Sequence, residues 1–175
     1  MKDAHAISPW IRPAQEADIP AILVINAAGA PGVSPLSASE WTELARLATL
    51  SCVAESDGTI LGYLVALAPE VNYTGEEFRW FQQQYARFLY IDQVAVAGSW
   101  RGCGVGALLY AHAEAFALSR GSTRLVCEVN LRPPNPESMR FHTRWGFSSV
   151  GTLEVSDGRL VSLLVKELGS PQAAL

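Results

Sequence analysis

No stretch of this chain restricts its fold as much as Val94-Ala95-Val96-Ala97-Gly98-Ser99-Trp100-Arg101-Gly102-Cys103-Gly104-Val105-Gly106. It reads as an apolar strand, a turn, and a glycine-rich entry into a helix. Helix N-termini carry unpaired N–H groups and about half a positive charge, so they hold phosphate. Glycines there let an anion reach the backbone with no Cβ in the way. No Lys-Ser/Thr follows the glycines, which excludes a Walker loop. Gly102-x-Gly104-x-x-Ala107 does satisfy the dinucleotide fingerprint, and Glu128 stands at a tolerable distance for a ribose contact. A dinucleotide unit, however, usually opens its domain and is followed by several more strand–helix repeats. Only one short helix and a hairpin follow here. A glycine turn kept for tight packing alone is the plainest reading.

The surrounding periodicity supplies the other elements. A strand is predicted at about Trp10–Pro13, a helix over Glu16–Ala28, a loop over Gly29–Leu36 and a short helix over Ser39–Ala48. Ser51–Glu55 and Ile60–Ala68 flank Asp57-Gly58 and form a hairpin. Phe88–Ala97 is a further strand. Gly104–Ser119 is a helix whose expected buried stripe is Val105, Leu108, Leu109, His112 and Phe116, with Gly121 at its end and His112 a core histidine. Thr123–Asn130 is a strand. Asn135–Trp145 is a helix with Asn135 as N-cap, Pro136 in its first turn and Gly146 closing it. Phe147–Val155 and Leu160–Lys166 flank Asp157-Gly158 as a last hairpin. No linker or repeat divides the 175 residues, so a single mixed α/β domain over 1–175 is expected.

Charge narrows the partners. The net charge is −4 and only Lys2 and Lys166 are lysines, which speaks against nucleic acid. The distribution is uneven: residues 1–100 hold five Lys/Arg against eleven Asp/Glu, whereas 101–145 hold six Arg against three Glu. An anionic ligand in the second half fits that local excess of cations. No apolar run approaches the roughly 18 residues of a membrane span, and the first residues, MKDAHAISPW, lack the apolar core of a secretion signal. Cys52, Cys103 and Cys127 suit neither a disulfide framework nor a metal site, so a reducing, cytoplasmic setting without metal is expected.

Two separated motifs resemble the GNAT superfamily of N-acetyltransferases. Its acetyl-CoA signature, Arg/Gln-x-x-Gly-x-Gly/Ala, is matched by Arg101, Gly104 and Gly106. Its last helix opens with Asn, carries a small residue three later and an aromatic-Tyr pair, and ends in Gly-Phe; Asn135, Ser138, Phe141-His142 and Gly146-Phe147 stand at those spacings. The resemblance is strong over 88–147 and extends loosely to the whole chain. It implies the acyl-CoA N-acyltransferase fold: a central, mostly antiparallel sheet of six to seven strands, the fourth and fifth splayed apart, flanked by about four helices. Acceptor-side elements would occupy about 1–87, the acetyl-CoA core about 88–147 and a closing hairpin about 147–168. Acetyl-CoA would be the co-substrate, its pantetheine amides pairing with the backbone around Val94, Ala95 and Val96. Its pyrophosphate would sit on the N–H groups of Arg101, Gly102, Cys103, Gly104, Val105 and Gly106, with Asn135 and His142 lining the site. Arg101, Arg140 and Arg144 are cations near the phosphates.

The implied reaction is direct transfer of acetyl to an amine through a tetrahedral intermediate. It needs a neutral amine, which costs about 4.6 kcal/mol at pH 7 for a lysine-like group but only about 1.4 for an α-amine. Glu128 and Asp92 are the candidate bases, because carboxylates in apolar strands are costly unless they serve a purpose. Alternation places Asp92 on one face with Val94 and Val96, and Glu128 with Asn130. The N–H of Val94 or its neighbour is the expected oxyanion donor. His142 stands where the family has a tyrosine that protonates or orients the leaving sulfur; it either does the same or only packs there. Pro69–Arg87 and the strand after it hold seven of the sixteen aromatics between Tyr73 and Tyr90, reading as a packing helix or a lid. Glu76 and Glu77 there favour a cationic acceptor, either a small molecule or a peptide N-terminus. A homodimer, as in related proteins, is carried over by analogy. Two other readings stand beside this one: a non-catalytic acyl-CoA sensor and a nicotinamide-dinucleotide enzyme.

Overall fold

In the computed structural model, which describes residues 8–169, seven strands form one sheet in the order β1-β2-β3-β4-β5-β7-β6. They are β1 (Trp10–Pro13), β2 (Leu50–Ser56), β3 (Thr59–Leu67), β4 (Leu89–Val96), β5 (Arg124–Arg132), β6 (Ser148–Glu154) and β7 (Leu160–Glu167). The helices are α1 (Ile19–Gly29), α2 (Ala38–Leu47), α3 (Glu76–Gln84), α4 (Val105–Ser119) and α5 (Pro136–Arg144), with a 3-10 turn before α1. The N-terminal stretch read as lacking a secretion signal has its first seven residues outside the described range. Among the described residues no helix is long and apolar enough to cross a membrane.

Most neighbouring strands run antiparallel, and two of these pairs, β2-β3 and β6-β7, are hairpins closed by short turns. Among the described residues only β4 and β5 are parallel neighbours, because α4 intervenes as their crossover. The central strand β3 is buried on both faces from Leu61 to Leu67, as its unbroken apolar run requires. One sheet face packs against α4 and α5 through Leu64, Ile91, Val105, Leu109 and Tyr110. The opposite face packs against α1 and α2 through Ile22, Trp41, Tyr63 and Val65, and against α3 through Phe78, Phe81 and Tyr90. The aromatic segment is thus a packing helix: Phe78 and Phe81 are fully buried.

Local chemistry sets the helix ends. Ser37 Oγ accepts from Glu40 N while Glu40 accepts from Ser37 N, a reciprocal box at the start of α2. Gly121, at φ 74°, closes α4: its N–H reaches Leu118 O and that of Ser122 reaches Ala117 O. The face of α4 differs from expectation. Val105, Leu109, Tyr110, Ala113 and Ala117 are buried, and His112 is exposed. The helix is apolar almost all round, so periodicity left its orientation undetermined.

A second correction concerns Asp92. Val65 pairs with Gln93 but Ala66 pairs with Ile91, so Asp92 is the extra residue of a bulge in β4. The bulge resets the alternation. Val94 and Val96 pack on the α4 side, whereas Asp92 meets Tyr73 on the opposite face. The shared face expected for Asp92, Val94 and Val96 does not form.

At the sheet edge, Asp18 accepts two bonds from Arg12 at 2.7 and 2.8 Å and one from Gln15 N at 2.8 Å. These bonds, Arg12 first, hold its carboxyl below the usual range. Replacing Asp18 by Ala is expected to cost about 2 kcal/mol in urea unfolding at pH 7. Because the folded pKa is depressed, the contribution is complete above the unfolded value near 3.9 and lost as pH falls through the folded one. The difference between wild type and variant should therefore vanish only below about pH 3.9. A constant difference down to pH 2 would overturn the assignment.

Candidate active site

β4 and β5 are paired at only two positions, Leu89 with Leu125 and Tyr90 with Val126, and then part. From there Val94, Ala95 and Val96 keep β3 as their partner on one edge and have no strand on the other. The gap opens into a cavity of about 530 Å³ lined by Val94, Ala95 and Val96, by Trp100, Arg101, Gly102, Gly104 and Gly106, and by Asn135, Ser138, Phe141 and His142. Gly104 is the N-cap of α4 at φ 84° and Gly102 lies at φ 74°; a Cβ at either would meet nothing within 4 Å. Open space therefore lies beside the first turn of α4, whose leading N–H groups have no partner within the helix, the arrangement that holds a phosphate. Cys103 is exposed and Val105 is buried in the core, so neither side chain lines the cavity, and the N–H groups of Arg101 and Cys103 are already given to Gly98 O at 3.4 Å and Trp100 O at 3.3 Å. Arg101 lines it and reaches Val96 O at 3.4 Å; Arg140 and Arg144 are exposed and do not. Asn135 caps α5 by accepting from Ser138 N at 3.2 Å.

On the other side of the gap lie two further cavities, of about 380 and 620 Å³, both lined by Asp92, Glu128, Asp157 and Arg159. Asp92 and Glu128 come together here from β4 and β5. Burial pushes Asp92 up to about 6; the Tyr73 hydroxyl lowers it and Glu77 raises it further. Burial first, then the charges of Glu77 and Asp92, push Glu128 well above the carboxylate range, against the Tyr90 hydroxyl and Arg159. Tyr90 donates to Glu128 at 2.9 Å. Glu77 at the start of α3 is buried and paired with Arg159 at 3.1 Å, while Glu76 is exposed and accepts from Ser156 N at 3.0 Å.

His142 is buried on α5 between the cavities. Its Nδ1 lies 2.7 Å from Ser138 O, and a carbonyl only accepts, so Nδ1 carries the proton. Nε2 then accepts from the Tyr110 hydroxyl at 2.6 Å. Burial lowers the pKa of this imidazole below 6.5, so the ring is neutral at pH 7. A neutral ring bonded this way has no proton to offer the cleft.

Sequence reasoning passed over Tyr110, Tyr73, Tyr90 and Arg159. Periodicity gave no sign of the first, because the face of α4 was undetermined. The two tyrosines were counted only among packing aromatics, and Arg159 only as part of a turn. The loop expected over Gly29–Leu36 has no part in the expected site, yet Pro31 O accepts from Asn130 Nδ2 at 3.1 Å and Ser34 O accepts from Asn26 at 3.0 Å. Both cavities beside the gap use this loop as a wall. Among the described residues no group of three or more His, Cys, Asp or Glu is placed to hold a metal ion.

The acetyltransferase (GNAT) family model matches residues 26–147. No curated protein matches the chain. Among solved structures, Ard1 from Thermoplasma volcanium superposes with a TM-score of 0.77 at 18% identity, covering 94% of this chain and all of that one. A ribosomal-protein-alanine N-acetyltransferase from Brucella melitensis gives 0.68 at 27% identity, with 91% and 99% covered. An N-acetylglutamate synthase from Neisseria gonorrhoeae, complexed with coenzyme A and N-acetyl-glutamate, gives 0.70 at 21% identity, covering 93% of this chain and 35% of that one.

Proposed function

The chain belongs to the acetyltransferase (GNAT) family, and from that premise we propose that it moves acetyl from acetyl-CoA to an amine of a small molecule or a peptide N-terminus. One observation carries this reading: two parallel strands that separate after two pairs, with an open glycine cradle at the mouth of the next helix. The cradle suits a pyrophosphate because a Cβ at Gly102 or Gly104 would fill it, and the free edge of Val94–Val96 suits the amides of an extended arm. A nicotinamide-dinucleotide enzyme lacks support here, since the sheet holds a single parallel pair rather than a run of strand–helix repeats.

Acetyl-CoA, consumed as a substrate, supplies the reactive thioester. The protein's part is to orient, to hold charge and to move protons. The backbone N–H of Val94 is the candidate donor to the carbonyl oxygen as it gains charge. Asp92 and Glu128, which line the same cavity, receive the proton that a cationic amine must lose, and the charge of Asp92 adds to the burial that raises Glu128. The acidic wall added by Glu77 and Asp157 favours an amine over an anion. The neighbour from Brucella, named for acetylating a ribosomal protein alanine, keeps the peptide N-terminus among the acceptors.

Calorimetry with acetyl-CoA and release of free thiol with a panel of amines test the proposal. Binding with thiol release on at least one amine is the expected result. Binding without thiol on any amine would make this an acyl-CoA sensor, and no heat with the coenzyme would overturn the reading.

The carboxylate pair sets a pH dependence. With its members raised above their ordinary values, kcat/KM should climb as pH rises through about 6. Asp92→Asn removes a negative charge beside Glu128, so the remaining limb should move to lower pH. A limb that stays in place in Asp92→Asn would separate Asp92 from the reaction.

A further inference from the structure

The floor of the junction between the coenzyme cavity and the smaller acceptor cavity is made by Val94, Asn130, Ser138, His142 and Tyr110. Tyr110 is the one phenol among these, and nothing in the mechanism so far uses it. Its ring is clamped by Phe141, Trp145 and Phe147 with centroids at 5.3, 6.3 and 5.8 Å, so its hydroxyl is fixed in place. The hydroxyl donates to His142 Nε2, and His142 in turn donates from Nδ1 to Ser138 O. The phenol proton therefore points away from substrate. Its oxygen, which the Cys127 thiol also touches, keeps a lone pair on the side where both cavities reach Tyr110. A hydrogen-bond acceptor backed by a second base is built to take a proton in and, once that base is charged, to hand it on.

We propose, resting on the acetyltransferase reading, that Tyr110 meets the reacting atoms and that Tyr110 and His142 together carry the proton of the attacking amine to the departing sulfur. When the amine nitrogen bonds to the carbonyl carbon, the nitrogen becomes cationic. Its proton passes to Tyr110 Oη while the phenol's own proton passes to His142 Nε2. The imidazolium so formed keeps its Nδ1–H on Ser138 O. As the carbon–sulfur bond breaks and the sulfur takes the electron pair, the path reverses: His142 returns its proton to Tyr110, and Tyr110 gives one to sulfur. Both residues end as they began, and amide and thiol are the products. Nitrogen and sulfur sit on the same carbon, so one hydroxyl serves both. The departing thiolate, whose conjugate thiol has a pKa near 8.5, takes a proton readily from an imidazolium held below 6.5, so the return step is downhill. The other titratable groups near Tyr110 are Cys127 and Glu128 on β5; Glu114, one turn along α4, is already taken by Lys166 and Trp145. Tyr110 is thus a catalytic residue, and His142 a proton-holding residue that acts through it.

Three variants and one spectrum test this. Tyr110→Phe removes the hydroxyl. His142→Gln keeps a carbonyl that accepts from Tyr110 but has no site for a second proton. Each should lower kcat about a hundredfold with KM for acetyl-CoA within twofold of wild type, and the double variant should be no slower than either alone. Nitrogen-15 spectra of wild type should show His142 protonated at Nδ1 and bare at Nε2 at pH 7, whatever the turnover. Retention of kcat by His142→Gln would reduce His142 to orienting Tyr110 and overturn the shuttle. So would kcat in Tyr110→Phe within threefold of wild type, losses that multiply in the double variant, or a proton on Nε2. Wild-type protein that binds coenzyme yet releases no thiol with any amine fails differently: it overturns the acetyltransferase reading, and the shuttle with it. Calorimetry with coenzyme identifies any variant that has lost its fold, and the wild-type spectrum decides independently of all three.

Discussion

Glu128→Gln should lower kcat by about a hundredfold or more while making the protein harder to unfold above pH 5. The two effects have one cause. Glu128 sits where burial and the charges of Glu77 and Asp92 oppose its ionisation, relieved only in part by Tyr90 and Arg159. A carboxyl whose folded pKa exceeds its unfolded value of about 4.3 is ionised more easily in the unfolded chain. Its presence costs stability as pH climbs from the unfolded value toward the folded one, and the cost persists above both. Glutamine has the same shape, and its carbonyl still accepts from the Tyr90 hydroxyl, so the penalty disappears without leaving a hole. What is lost is the group that takes the ammonium proton. A rate constant within threefold of wild type would remove Glu128 from the chemistry. A variant both slower and less stable would point to a structural role instead. Urea unfolding at pH 5 and pH 8, with thiol release at pH 7, separates these cases. Stability given up at a reacting group is an expected trade-off.

The strands and helices were legible because their signals are local. Asp57-Gly58 and Asp157-Gly158 mark both hairpins, Asn135-Pro136 starts α5, and the glycines after Val96 mark the turn into α4; the boundaries expected for these elements lie within a residue or two of those observed, whereas α1 begins at Ile19, three residues after the expected Glu16, because a 3-10 turn precedes it. What could not be read depends on geometry between elements. The bulge at Asp92 is a mismatch of register between β3 and β4, and no property of β4 alone announces it. It turned a carboxylate expected beside Val94 onto the opposite face, where it meets Glu128. The aspect of α4 is similar: a helix apolar on nearly all sides takes its orientation from the sheet beneath it. That orientation buries Tyr110 beside His142 and leaves His112 outside. Arg159 belongs to the same class. In the chain it is one residue past a turn; in the fold it reaches across to Glu77 on α3.

Coenzyme binding should be most sensitive at Gly104, where a change to Val is expected to weaken acetyl-CoA about a hundredfold or more. Two effects follow, one on the fold and one on the ligand. Gly104 holds φ 84° as the first residue of the α4 cap, and a β-branched side chain in that region costs about 1–2 kcal/mol. No protein atom lies within 4 Å of the new Cβ, so the free protein has room for it, and the fold should survive. That same space is where a phosphate approaches the N–H groups of the helix mouth. Displacing the anion loses charge-assisted bonds of about 1.5–3 kcal/mol each. The strain is carried by the free protein too and is read in its melting temperature; the affinity falls through the displaced bonds, two of which come to about 3 kcal/mol or more, beyond the roughly 2.7 kcal/mol of a hundredfold. Gly98→Ala serves as the control: it is also open but has no positive φ and does not line the cavity, so its affinity should stay within threefold of wild type. Calorimetry on both variants, with melting temperatures to confirm folding, gives the answer. Equal losses at Gly98 and Gly104 would mean that the turn acts through general stability. Full affinity in Gly104→Val would place the pyrophosphate elsewhere and remove the cradle from the argument for coenzyme binding.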